Sequence, residues 1–185
     1  MMIDFEKLRL PPIYKRTDRE CYLDPIRQKL IYITPEETVR QKVISWLIDC
    51  LKVPENMIKI EEPLKHYGLD TKRRADLIIH GYNSENDCVE PIAVIECKAP
   101  NVYLDEKAGT QMMDYSDDLG CLYSALTNGI DTHCYIYDVE KCSYVEINEL
   151  PTYDRMLNGI YDVMPPIKKS ERIPFDKLLD EKDAL

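Results

Sequence analysis

Hydrophobic positions along this chain change period several times, and each change marks an element. From Thr34 onward Val39, Val43, Trp46, Leu47, Cys50 and Leu51 recur at three- and four-residue spacing, which predicts a helix with one buried face. Its start is written locally. Thr34 serves as N-cap, Pro35 takes the first helical position and Glu37, three residues past the cap, completes a capping box, while Pro54 sets the end.

The period then drops to two. "MIKIEEPL", around residues 57–63, reads as a short strand, and "RRADLIIHG" as a second from Arg74 to His80, stopped by Gly81. The polar loop "YNSENDCVE" leads to a third strand from Pro91 to Cys97. Helical spacing returns between Leu104 and about Asp118, with Gly109 inside it. Asn128-Gly129 then marks a hairpin between "LYSALT" and "IDTHCYIY", and "SYVEIN" supplies one more strand after a turn at Glu140–Cys142.

This order, helix, three strands, helix, strands, predicts an α/β fold with a central mixed sheet flanked by helices. Residues 1–34 are expected to form an N-terminal arm, with "IRQKLIYIT" as its one extended piece. Residues 35–150 form the domain, and 151–185 a proline-broken C-terminal extension carrying a surface helix or two.

Composition narrows the setting. The chain has 185 residues, 44% of them hydrophobic, enough for one core. It contains no apolar run long enough to span a bilayer and no basic start followed by an apolar stretch, so a soluble, cytoplasmic protein without membrane contact is expected. Seven cysteines, odd in number and without a C-x-x-C pair, predict free thiols. A formal charge of −10 is unlike a general nucleic-acid binder. Thirteen tyrosines show no aromatic-basic periodicity and read as strand packing, and His66, His80 and His133 fit no ligand spacing.

The stretch "IAVIECKAP" breaks the apolar pattern. On a strand Ile92, Val94, Glu96 and Lys98 share one face, so a run that begins as core ends on two adjacent charges. Asp76 lies near the start of the preceding strand. If the two strands are antiparallel neighbours, Asp76, Glu96 and Lys98 meet at one sheet edge. Two adjacent carboxylates repel unless a cation lies between them, and hard oxygen ligands suit Mg²⁺ or Mn²⁺. An ammonium alongside can serve a water that attacks a phosphodiester. The Cys97 carbonyl lies between the two side chains as a further metal ligand. By spacing alone, a solvated cross-strand ion pair explains the same residues.

Taken together, "AD", "ECK" and their spacing resemble the PD-(D/E)xK nuclease signature, with alanine in place of the proline. "TPEETVRQ" (34–41), "RRAD" (73–76), "IECKAP" (95–100), Gln111 with Tyr115, and "TNG" (127–129) are similar, in order, to the N-terminal nuclease domain of type I restriction enzyme R subunits. The resemblance implies a restriction-endonuclease-like αβββαβ core, with Asp76 and Glu96 holding Mg²⁺ and Lys98 serving the water. It also implies that Gln111 and Tyr115 face the site, and that Glu37 is an added acid near the metal. Arg73 and Arg74 either touch phosphate or offset acidic surface. DNA and restriction-system subunits are the implied partners.

R subunits are far longer and carry an ATP-driven translocase. No G-x-x-x-x-G-K-[ST] loop occurs in these 185 residues, so no ATP site is expected in the chain, which reads as a stand-alone relative or one part of an assembly. Two functions compete: a Mg²⁺-dependent DNA nuclease, and a non-catalytic nuclease-like module that binds DNA or a protein partner.

Overall fold

The computed structural model describes residues 3–162, with backbone alone at 106–107. Three short strands come first: β1 (Ile13–Arg16), β2 (Arg19–Asp24) and β3 (Lys29–Tyr32), an antiparallel meander. The expected arm is therefore a sheet of its own. Its strands are only four to six residues long, too short for periodicity to register, and β1 is exposed throughout.

Next follow α1 (Pro35–Asp49), β4 (Ile58–Pro63), β5 (Arg74–Asn83), β6 (Cys88–Cys97), α2 (Glu106–Leu119), β7 (Tyr123–Thr127), β8 (Thr132–Asp138) and β9 (Ser143–Ile147). The order matches the sequence reading. These six strands form one sheet, β4-β5-β6-β7-β8-β9, in which β6 and β7 are parallel and the other neighbours antiparallel. A parallel pair needs a crossover, and α2 supplies it.

Each helix covers one face. Val39, Val43, Ile44, Trp46 and Leu47 of α1 pack on Ile58, Leu77, Ile79, Ala93, Ile95, Tyr123 and Ala125. On the reverse face Tyr115 of α2 joins Ile78 and Val94, and Met112 joins Leu126. Alternation along β5 and β6 thus sends odd-numbered Leu77, Ile79, Ala93 and Ile95 to α1 and even-numbered Ile78 and Val94 toward α2.

Boundaries differ in places. Strand β5 runs through Gly81 to Asn83, because a β-carbon at Gly81 would meet Leu157 Cδ2 at 2.6 Å and Ile92 Cγ2 at 2.9 Å; this glycine admits a neighbour and ends nothing. Strand β6 starts at Cys88, with Pro91 paired to His80 beside a register shift. The Asn128-Gly129 hairpin has a four-residue loop, 128–131, in which Asn128 Oδ1 accepts the N–H groups of Ile130 and Asp131 at 2.9 and 2.8 Å. After Pro151 one short helix, α3 (Tyr153–Leu157), is present, and the rest of the expected extension lies outside the described residues. All seven cysteines are free thiols. Among the described residues no helix is long and apolar enough to cross a membrane.

Candidate active site

Pairing of β5 with β6 reaches Leu77↔Ile95; one further step in that register sets Asp76 opposite Glu96, where the ladder stops. On its other side Asp76 faces a second gap. The β4–β5 ladder has Ile60↔Leu77 and Glu62↔Ala75 but no pair between them, and Glu61 there adopts a left-handed φ of 48°. Such a backbone costs on the order of 1–3 kcal/mol in a non-glycine residue and persists where the surroundings hold it. Asp76 therefore sits in a break in the sheet, where its carboxylate can take hydrogen bonds the ladder does not use.

Two donors reach it. The Cys97 N–H donates to Asp76 Oδ2 at 2.8 Å, and Arg40 Nη2 donates to Oδ1 at 2.8 Å. Glu96, only 5% exposed, accepts from Lys98 Nζ at 2.7 Å and from Gln111 Nε2 at 3.1 Å, both on Oε1. Its Oε2 is buried with no hydrogen-bond partner. Burial, and then the Asp76 charge, push the Glu96 pKa up to about 7 against the opposing pull of Lys98. Burial works against the Lys98 charge, but its hydrogen bond to Glu96 and the attraction of Glu96, Asp76 and Glu36 outweigh that and raise its pKa.

The convergence expected of Asp76, Glu96 and Lys98 is present. Gln111 and Tyr115 belong to the same constellation, since Gln111 Nε2 also donates to the Tyr115 hydroxyl at 3.1 Å. Tyr115 packs on Ile78 and Val94, so it props the glutamine against Glu96 from the sheet side. The Cys97 thiol lies in the α1-side core, and burial holds its pKa well above the ordinary value. The "TNG" stretch braces the site from behind. Thr127 O accepts the Lys98 N–H at 2.8 Å, and Asn128 Nδ2 donates to Val102 O at 2.9 Å, fixing the loop after Lys98.

Glu37 is placed differently. Half of its capping box forms, with Glu37 N–H donating to Thr34 Oγ1 at 3.0 Å. Its carboxylate turns inward instead of back to the cap. It pairs with Arg27, accepts from Arg40 Nη1 at 2.5 Å and from Gln41 Nε2 at 2.8 Å, and so is separated from Asp76 by a guanidinium. Arg73 lies over the Tyr115 ring at 5.2 Å and pairs with Asp118.

Arg40 is the residue that sequence reasoning missed. It is 4% exposed and joins Asp76 to Glu37, with Glu36 at 3.0 Å on the same nitrogen as Asp76. Burial opposes its charge, but attraction by Asp76 and Glu37 outweighs the penalty and keeps it protonated. The signal was its position, four residues after Glu36 and three after Glu37 on one helix face, in a stretch already singled out.

As a donor set, Asp76 and Glu96 fit a small hard cation. Glu96 Oε2 is unsatisfied, and each Asp76 oxygen carries one hydrogen bond and so keeps a lone pair. Among the described residues no group of three or more His, Cys, Asp or Glu side chains has metal-holding geometry, so water and substrate oxygens would complete the shell, as is usual for Mg²⁺. A cavity of about 740 Å³, lined by Ile3, Leu8, Trp46, Leu51 and Leu150 among others, includes none of these residues.

The family described as type I restriction enzyme R protein N terminus matches residues 35–151. No curated protein matches. Among solved structures, a fragment described as a putative HsdR subunit of a type I restriction enzyme from Vibrio vulnificus YJ016 is 26% identical, with a TM-score of 0.34, over 48% of this chain and 16% of its own. The chain thus spans a small part of that relative's length. With most of its length matched, from the start of α1 to just beyond β9, the chain belongs to the type I restriction enzyme R protein N-terminus family.

Proposed function

We propose that this chain is a metal-dependent nuclease module that hydrolyses DNA phosphodiesters, acting with restriction-system subunits. The observation that carries the reading is the buried, unpartnered Glu96 Oε2 beside Asp76 and Lys98. A buried carboxylate oxygen without a partner costs on the order of 1–3 kcal/mol or more, and a protein gains nothing from it structurally. Asp76 and Glu96 would hold Mg²⁺ or Mn²⁺, with the Cys97 carbonyl as a further candidate ligand. Bound there, the cation supplies Lewis acidity toward a phosphate oxygen and acidifies water.

The chain's own groups do the rest. Lys98, one-fifth exposed, stays protonated and orients a water or offsets charge building on the phosphate. Gln111, braced by Tyr115, holds Glu96 Oε1 in place, and Arg40 with the Cys97 N–H fixes both oxygens of Asp76. Glu37 acts one residue removed, through Arg40.

Asp76→Asn and Lys98→Ala are each expected to lower divalent-metal-dependent cleavage of plasmid or linear DNA about 100- to 1,000-fold, comparable with losing one electrostatic catalytic group. Unchanged cleavage in both variants overturns the reading. A second reading, a non-catalytic module binding DNA or a partner protein in a restriction or defence assembly, is favoured by the −10 charge. Calorimetry separates the two: Mn²⁺ binding that Glu96→Gln removes supports the nuclease, and no heat of binding supports the module.

A further inference from the structure

We propose that the outward face of the N-terminal meander is a docking platform for single-stranded DNA, separate from the Asp76 and Glu96 site. Register and alternation define the face. Arg16 is paired with Arg19; Tyr14, Cys21 and Tyr32 form the next row across the three strands; Leu23 and Leu30 lie in the third. The opposite face is the one turned to α1, since Tyr22 reaches Thr38 at 3.2 Å and Asp24 accepts from Gln41.

Two features ask for a ligand. Arg16 and Arg19 are directly opposed like charges, which is unfavourable in a sheet, and among the described residues neither forms an ion pair. Next to them Tyr14 and Tyr32 are 49% and 36% exposed on the same face, unlike the buried Tyr22 and Tyr123. The Arg19 guanidinium lies 4.0 Å over the Tyr32 ring.

Guanidinium groups beside exposed aromatic rings on one sheet face, with Cys21 buried between the two tyrosines, suit a ligand that offers phosphates and bare base faces together. A duplex hides its base faces in the stack, so the unpaired strand is the better fit. Residues 13–32 hold five Lys or Arg against three Asp or Glu in a chain of charge −10, so the meander is locally basic and eases the approach of a polyanion. The Thr17-Asp18 turn, both residues at positive φ, holds the arginines at a tight hairpin tip.

The proposal goes beyond the nuclease reading and stands without it. The test is fluorescence anisotropy of the full chain with a short labelled oligo-dT in excess EDTA, which removes divalent-metal chemistry. Replacing Tyr14 and Tyr32 by alanine is expected to weaken binding at least ~10-fold. Replacing Arg16 and Arg19 by alanine should reduce the slope of log affinity against log salt by ~1.4, the share of two phosphates on a single strand. Tyr14→Ala alone, which leaves the Arg19–Tyr32 contact intact, should show part of the loss. Because anisotropy in EDTA reads binding and not cleavage, a failed nuclease assay and a failed platform are told apart. Equal affinity in the tyrosine and arginine variants, equal losses on duplex DNA, or no oligonucleotide binding by the parent chain overturns the proposal.

Discussion

Two buried carboxylates flank the Arg40–Asp76 pair, and they are treated in opposite ways. Glu37 is saturated: Arg27, Arg40 and Gln41 all donate to it. Glu96 is as deeply buried, yet its donors, Lys98 and Gln111, both go to one oxygen and the other has none. The first arrangement is what a folded chain does with an acid it must bury. The second leaves one carboxylate oxygen without a donor beside Asp76, at the end of an interior strand, where a cation could complete it. Nearness to a family motif does not separate these two glutamates; the count of satisfied lone pairs does.

Mutating the two glutamates should break the symmetry of their chemistry. Glu37→Gln leaves Arg27 and Arg40 short of a buried counter-charge, a loss of about 3–5 kcal/mol, or roughly 6–20 °C in thermal midpoint for a chain of this size. A midpoint within a degree or two of the parent would mean that the network is not holding α1 to the sheet. Glu96→Gln should act in the other direction. Without metal it removes a desolvated charge repelled by Asp76, so a gain of about 1 kcal/mol is expected, together with loss of any Mn²⁺-induced rise in midpoint. A destabilised Glu96→Gln protein would place Glu96 in the same class as Glu37.

His80 sharpens the comparison at the smallest scale, as a buried base whose burial outweighs the pull of Glu62. Burial lowers its pKa, although its Nε2 lies 2.9 Å from the Tyr67 hydroxyl. The unfolded chain then binds a proton more readily than the native one, so this histidine's contribution is present above pH ~6.5 and fades as pH falls through that value. Urea midpoints of the parent and His80→Gln should differ in slope below pH ~6.5; parallel curves would show that His80 titrates alike in both states.

Local features predicted most of the scaffold. Thr34-Pro35 starts a helix whatever surrounds it, and alternation from Ile92 to Cys97 announced a strand whose last residues could not all be core. The meander stayed hidden because four-residue strands carry no readable period, and Gly81 misled because a glycine required by close packing against Leu157 looks the same in sequence as one that ends a strand. Asp76, Glu96 and Lys98 were legible as residue types at a spacing, and Gln111 and Tyr115 only through family likeness.

What the amino-acid order determined by itself is short-range: element type, helix caps, the face each strand residue takes, and the presence of charges where apolar residues were due. Tertiary structure decided which charges are answered. Arg40 lies 36 positions from Asp76 and Arg27 lies 34 from Glu61, and such pairings depend on how α1 and the meander cross the sheet. Hydrogen bonding is a matter of ångströms between groups far apart in the chain, so whether Glu96 Oε2 has a partner could be known only after the strands and helices had been placed.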